Sequence, residues 1–265
     1  MGYSVPRIDS IDFRIALKKQ IHRKRWLRWM LSSIGIVLVT VRVATWPVET
    51  RRGVNFVVST YTMPLYLKAF EFIDRSVHYE RIVSSVIDGL SSDEAIVETL
   101  FDWTRLNIRE TPEGWQVIDD HILNIIIRGH GMSDQQADVL TTLLTYAGVP
   151  AFWVALPKGA EQQILLSFVL VDGEWRVCDV ANGFLFRAEN GELASLEDLR
   201  VRASLVERLT KRTFIKDVPY TDVLGQVTMP PPPNPLRAEL QMPIKRLIHE
   251  MWTRVNLGMD DESER

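Results

Sequence analysis

The segment between residues 129 and 151 constrains the fold of this chain most, because it carries start and stop signals for one helix. Ser133 has the side chain of a helix N-cap, and Gln136 three residues later completes the pattern of a capping box. Apolar residues recur behind it at helical spacing, at Val139, Leu140, Leu143, Leu144 and Ala147. Gly148 and Pro150 then indicate the helix end. The segment predicts a buried helix that leads directly into a strand.

Two further patterns flank this helix. Before it, residues 93–109 show apolar side chains at helical spacing, and Ser91 with Glu94 forms a capping-box pattern. After it, short strands are predicted at 151–156, 164–171 and 175–180, with Asp172-Gly173 as a hairpin turn. Helices followed by a small antiparallel sheet indicate an α+β fold.

The order and spacing of these motifs resemble the transglutaminase-like domain, a relative of the papain-type cysteine peptidases. In that family a Gly-x-Cys turn begins the helix, and Gly-Ile-Pro-Ala follows it. Gly131 matches the glycine, Gly148-Val-Pro-Ala151 matches the exit, and Ser133 stands at the position of the nucleophilic cysteine. The strand pair from Leu170 to Asp179 matches the family's tryptophan and aspartate. The resemblance spans about residues 80 to 200 and implies a papain/transglutaminase-like core.

The resemblance also implies a catalytic triad that this chain does not supply in full. A thiolate attacks in that family, with a histidine as base and a carboxylate orienting it. A serine hydroxyl is not ionised by a helix N-terminus in the way a thiol is. The histidine is expected on the strand at 164–167, but the residues there are Ile-Leu-Leu-Ser, and no histidine lies between His130 and His249. Of the three groups only Asp179 is present.

A rearranged site is the alternative for catalysis. His130 precedes Ser133 by three residues, so a set of Ser133, His130 and Asp179 would make a hydrolase or acyltransferase. The simpler interpretations are a helix cap for Ser133, a loop side chain for His130 and a turn-capping carboxylate for Asp179. Cys178 is the only cysteine, and strand alternation places it opposite in direction to Asp179, as a small core residue.

Composition excludes several other functions. A net charge of −3 with 25% charged residues argues against nucleic acid as a partner. The five histidines are scattered and there is no Cys-x-x-Cys pair, so no metal site is predicted. The sequence has no glycine-rich phosphate loop, and we expect no cofactor.

The N-terminal region predicts a membrane anchor. Residues 1–25 are rich in lysine and arginine, and residues 26–46 form an apolar run of the length that crosses a bilayer, with tryptophans near both ends. A buried core helix and a cleaved signal peptide are the alternatives. Positive charge before the run places the N-terminus in the cytoplasm, so the main domain is expected outside the plasma (inner) membrane of a single-pass protein.

A second apolar stretch, residues 53–70, bears on that orientation. The 15 residues between Arg52 and Lys68 would span about 22 Å as a helix, short of a hydrocarbon core of about 30 Å. We therefore interpret residues 47–90 as helices that pack on the domain or lie at the membrane interface. A second span would return the domain to the cytoplasm.

The C-terminal region, residues 216–265, is predicted to be a proline-rich extended linker followed by an amphipathic helix from Pro243. The helix has an apolar face formed by Ile244, Leu247, Ile248, Met251 and Trp252. That face is suited to docking on its own domain, on a partner protein or on the membrane surface.

The sequence therefore predicts a membrane-anchored, catalytically inactive transglutaminase-like protein. We expect it to act as an accessory subunit or interaction module, with the bilayer and other membrane proteins as partners. An accessory role in envelope polysaccharide assembly is a further alternative that the resemblance implies. The predicted organisation has five parts: residues 1–25, 26–46, 47–90, the transglutaminase-like domain at 91–215, and the tail at 216–265.

Overall fold

The computed structural model describes residues 10–210 and 213–263. The helices are α1 (Ser10–Ala44), α2 (Leu65–Val86), α3 (Asp93–Asn107), α4 (Ile122–Arg128), α5 (Ser133–Tyr146), α6 (Leu196–Val201), α7 (Ala203–Thr210), α8 (Tyr220–Gly225) and α9 (Pro243–Ser263), with a 3-10 turn at Glu239–Gln241. The strands are β1 (Pro47–Val54), β2 (Val57–Pro64), β3 (Arg109–Glu110), β4 (Ile118–Asp119), β5 (His130–Gly131), β6 (Ala151–Leu156), β7 (Ile164–Val171), β8 (Glu174–Asp179), β9 (Phe184–Leu185), β10 (Phe214–Ile215) and β11 (Val218–Pro219).

The chain divides into two compact units. The first comprises Met1–Thr50 and Tyr61–Ala69, and the second comprises Arg51–Thr60 and Phe70–Arg265. The second unit therefore contains α3 to α9 and the larger sheet. Its helices and antiparallel sheet confirm the predicted α+β class.

The main sheet of the second unit has four antiparallel strands in the order β6-β7-β8-β9. Because side chains alternate along each strand, the sheet buries two different faces. One face carries Ala151, Val169 and Cys178 and packs in a core with α3, α4 and α5. The other face packs in a second core, with members Phe152, Leu166, Phe168, Val177, Leu196, Leu199, Val206, Tyr220 and Val223.

Helix α5 is buried as its apolar spacing predicts. Val139, Leu140, Leu143 and Leu144 are all fully buried in the first core. The exit also follows the prediction: Gly148 adopts a φ of 90°, which a side chain would oppose, and the Val149 N–H donates to the Leu144 carbonyl at 2.9 Å. This turn delivers the chain to β6 at Ala151.

Residues 47–64 form a β-hairpin, so the prediction of helices over 47–90 is wrong for its first part. The two turn residues, Asn55 and Phe56, both have positive φ, of 48° and 66°, which is the geometry of a two-residue hairpin loop. The following strand is rich in β-branched and aromatic residues, which favour extended backbone over helix. Helix α2 begins only at Leu65.

The tail also departs from the predicted extended linker. It belongs to the second unit, and Val227, Leu236 and Ala238 are buried against the domain. Tyr146 of α5 donates its hydroxyl to the Gln241 carbonyl at 2.9 Å. The predicted boundary at 216 is therefore not a structural one, because apolar residues spaced through the proline-rich segment give it a core to join.

Helix α1 contains the predicted anchor. From Lys24 to Ala44 it is long and apolar enough to cross a bilayer, and none of this stretch is buried. The helix ends at Ala44, two residues before the predicted end of the span. A stretch of this kind near an N-terminus fits a membrane span or a signal sequence.

Candidate functional site

The turn before α5 is held by close packing around Gly131. A Cβ at this position would lie 3.0 Å from the Gln135 Cβ and 3.1 Å from the Ile125 Cγ2, so a larger residue would make these neighbours move by a few tenths of an ångström. The Gln135 side chain accepts from the Met132 N–H at 3.1 Å and donates to the Ile118 carbonyl at 2.7 Å. Gln136 donates to the Ile108 carbonyl at 3.1 Å. Two glutamines thus fix the helix start to neighbouring backbone.

Ser133 is the first residue of α5 and not its N-cap, which corrects the predicted capping box. Met132 is the N-cap, with extended backbone, and Gln135 replaces the expected Gln136 as the residue that reaches back. The Ser133 side chain is half-buried, and its hydroxyl has no hydrogen-bond partner among the residues that the structure describes.

His130 makes contacts other than with Ser133. It lies in β5, which pairs in parallel with β3. Its ring Nδ1 is 3.4 Å from the Thr111 hydroxyl, and the ring packs edge-on against Trp115 with centroids 5.2 Å apart. The hydrogen bond to Ser133 that the rearranged site needs is not formed among the described residues.

Asp179 is completely buried at the end of β8. Its carboxylate accepts from the Asn182 N–H and side-chain amide, both at 2.9 Å, and from the Tyr220 hydroxyl at 2.8 Å. Burial raises the pKa of the Asp179 carboxyl, and the bonds from Asn182 and Tyr220 oppose that shift. Burial also raises the pKa of Tyr220, with the carboxylate beside it adding to the shift. All three donors are used to satisfy a buried acid.

The hydrogen-bond partner Tyr220 of Asp179 and the helix that carries Ser133 belong to different hydrophobic cores. Tyr220, the partner of Asp179, packs against Phe184 and Phe186 in the second core. Helix α5 packs in the first core, on the other face. Among the described residues, none of Ser133, His130 and Asp179 makes a side-chain hydrogen bond to another of the three. The expected histidine position offers no replacement, because Ile164 and Leu166 are buried in the second core.

Cys178 lies where strand alternation predicts, in the first core and facing away from Asp179. It pairs across the sheet with Ser167, which is also fully buried and whose hydroxyl has no partner in the described chain. Burial raises the pKa of the Cys178 thiol, and the neighbouring Asp179 raises it further. A thiol held in its neutral form is a poor nucleophile.

A polar cluster with no local signal in the sequence joins α5 to the tail. Asp138 accepts from the Trp153 indole at 2.6 Å and pairs with Arg237 at 3.0 Å. The Arg237 guanidinium also lies over the Trp153 ring, 5.9 Å from its centroid. Burial raises the pKa of Asp138, and Arg237 and Trp153 lower it. These residues line a cavity of about 190 Å³.

The five residues predicted to bind a partner are all exposed on α9. Their exposed fractions run from 52% at Ile248 to 74% at Ile244. Their spacing puts them on one helical face.

The described residues contain no group of histidine, cysteine and carboxylate side chains arranged to hold a metal ion.

Comparisons with known proteins give weak similarity in fold. No family model matches this chain, and no curated protein matches it either. Similar solved structures include a proposed protease from Parabacteroides distasonis, at 15% identity and a TM-score of 0.33 over 46% of this chain and 28% of that one. A proposed cysteine protease from Cytophaga hutchinsonii shares 13% identity, with a TM-score of 0.34 over 48% and 45% of the two chains.

A TGase structure is similar at the same level, with 13% identity and a TM-score of 0.33 over 56% of this chain and 46% of that one. The chain thus spans less than half the length of each of these three proteins.

Proposed function

We propose that this chain is a membrane-anchored protein whose transglutaminase-like scaffold performs no acyl-transfer chemistry and serves as an interaction module of a membrane protein complex. One observation carries the proposal: no described residue hydrogen-bonds to the Ser133 hydroxyl, and Asp179 is bonded to Asn182 and Tyr220 instead of to a histidine. Without a base beside it, a serine hydroxyl does not attack an acyl group at a useful rate.

The contacts of the other polar groups support the same conclusion. Asp179 has its acceptor capacity occupied by Asn182 and Tyr220, so it is not available to orient a histidine. His130 contacts Thr111 and Trp115. The rearranged hydrolase would need both side chains to leave these contacts.

Turnover assays test the absence of chemistry. The full chain in detergent is assayed for amide hydrolysis and amine transfer beside a Ser133→Ala variant, with thermal unfolding as a check that both are folded. We expect equal rates, at the level of the buffer blank. Turnover that Ser133→Ala abolishes would contradict the proposal.

The apolar face of α9 supports the interaction role. Five large apolar side chains at i, i+3, i+4, i+7 and i+8 match the anchor pattern of a helix that docks in a groove. We expect the variant with Leu247→Ser and Met251→Ser to lose partners extracted with the chain in mild detergent. Ile127→Ser, which removes an apolar side chain of 73% exposure on α4, is the matched control and retains them.

The proposed orientation, with the N-terminus in the cytoplasm and the domain outside the inner membrane, has its own test. Cys178 is buried, so a cysteine introduced at exposed Glu113 is the accessible thiol among the described residues. An impermeant maleimide should label Glu113→Cys in intact cells. Labelling only after permeabilisation would place the domain in the cytoplasm.

A further inference from the structure

Two arginines in the second unit share one aromatic ring. Arg75 on α2 and Arg246 on α9 each place the guanidinium carbon close to the Phe72 ring, 5.4 Å and 5.3 Å from its centroid. Such contacts attract a cation to the negative face of the ring. They do not neutralise either charge.

Neither guanidinium has a full set of acceptors. Arg75 makes no hydrogen bond or ion pair with any residue that the structure describes, and its Nε–H is buried without a partner. Arg246 uses its Nε to contact Glu250 at 2.9 Å, in a pair whose side chains are both about half exposed. The Nη groups of both arginines therefore lack an acidic partner in the described chain.

The positive charges of Arg75 and Arg246 are not fully balanced by acidic side chains in the described chain. Burial lowers the pKa of Arg75, and the positive charge of Arg246 lowers it further, while Tyr79 and Glu71 act in the other direction. Two cations at one ring repel each other, and a partly desolvated guanidinium normally has a carboxylate or phosphate partner. An oxyanion bound by these guanidinium groups would reduce both costs.

We propose that Arg75 and Arg246, held by Phe72, bind a phosphate-type oxyanion. The planar guanidinium presents paired N–H donors that match two oxygens of a phosphate, and two arginines offer such donors from two helices. The Arg75 side chain is only partly buried, so the ligand has access to it. Inorganic phosphate and the phosphate of an anionic lipid headgroup share this chemistry.

The test measures binding to the full chain in zwitterionic detergent. Calorimetric titration with inorganic phosphate forms one arm, and titration with phosphatidylglycerol dissolved in the same micelles forms the other. Both are run at constant ionic strength set with chloride. Arg75→Gln and Arg246→Gln remove one guanidinium each, and Arg81→Gln removes the charge of an exposed arginine from the same helix as Arg75.

We expect saturable binding in at least one arm, weakened about tenfold or more by Arg75→Gln and by Arg246→Gln. Arg81→Gln should bind as the unaltered chain does. Binding in the first arm identifies a free phosphate as sufficient, and binding in the second alone identifies the lipid. Because Arg246 is exposed, its variant remains informative if Arg75→Gln fails to fold.

Two results would overturn the proposal. One is the absence of saturable binding in both arms. The other is equal weakening by all three variants, which would show a general effect of positive charge. This test measures binding and not turnover. Its result is therefore independent of whether the chain lacks catalytic activity.

Discussion

The carboxylate of Asp179 and the hydroxyl of Ser133 are surrounded in different ways. Asp179 is fully buried and accepts three hydrogen bonds, one of them from Tyr220, which lies 41 residues away in sequence. Ser133 is half-buried, and its hydroxyl has no partner within the described ranges. A buried acid that loses its donors is costly, whereas a half-buried hydroxyl can bond water. Asp179 thus has a structural role that Ser133 lacks.

The largest effect is expected from Asp179→Ala. This change leaves the buried Tyr220 hydroxyl without its acceptor and also removes the acceptor of the exposed Asn182 side chain. We expect the free energy of unfolding to fall by about 3 kcal/mol, measured by denaturant unfolding of the full chain in detergent. Asp102→Ala, an exposed carboxylate on α3, is the control and should change it by less than about 0.5 kcal/mol. Equal losses in both variants would contradict the comparison.

Tyr220→Phe tests the same hydrogen bond from the side of the donor, Tyr220. It removes one of three donors to Asp179 and keeps the ring that packs against Phe184. We expect a loss of about 1–2 kcal/mol in the free energy of unfolding. Tyr66→Phe, at an exposed tyrosine, gives the reference value near zero. A neutral result for Tyr220→Phe would mean that the bond to Asp179 contributes nothing to stability.

The pH dependence of stability tests the charge state of Asp179. Because burial raises its pKa in the folded state, the folded chain holds this proton more tightly than the unfolded chain does. The associated stability is present below the unfolded pKa of about 3.9 and is lost as pH rises through the folded pKa, by at most about 1.4 kcal/mol per pH unit. Asp179→Asn should remove this part of the slope. An unchanged slope in that variant would exclude the titration of Asp179.

The smallest effect is expected at Ser133. Ser133→Ala removes a hydroxyl that has no partner among the described residues, and alanine is a good helix former at the first helical position. We expect the free energy of unfolding to change by less than about 0.5 kcal/mol. Gln135→Ala, two residues later, is the contrast, because it breaks bonds to Met132 and Ile118 and should cost about 1 kcal/mol or more. A loss at Ser133 equal to that at Gln135 would show a hidden structural role.

Much of the fold could be predicted from local pattern. The bounds of β6 and β7 and the burial of α5 follow from periodicity and end signals that the sequence displays. The misplaced cap shows the limit of such signals. Ser133 and Gln136 fit the capping pattern, but the bonds of Gln135 to Met132 and Ile118 shift the helix start by one residue.

The parts of the site that escaped prediction depend on long-range contacts. The bond of Tyr220 to Asp179, the pairing of Arg237 with Asp138, and the shared contact of two arginines with Phe72 join residues far apart in sequence. No spacing rule within one element predicts them. The hairpin at 47–64 is different, because its strands contain a run of β-branched residues, which is a local signal for extended backbone. The helix prediction rested on the apolar character of the stretch and did not use that signal.

The central claim is that Ser133 and Asp179 are uncoupled, and a double-mutant cycle tests it most directly. The free energy of unfolding is measured for the full chain, for Ser133→Ala, for Asp179→Asn and for the double variant. If the two side chains do not interact, their effects on the free energy of unfolding add to within about 0.5 kcal/mol. A coupling energy clearly above that value would place the hydroxyl and the carboxylate in one interacting site and contradict the account.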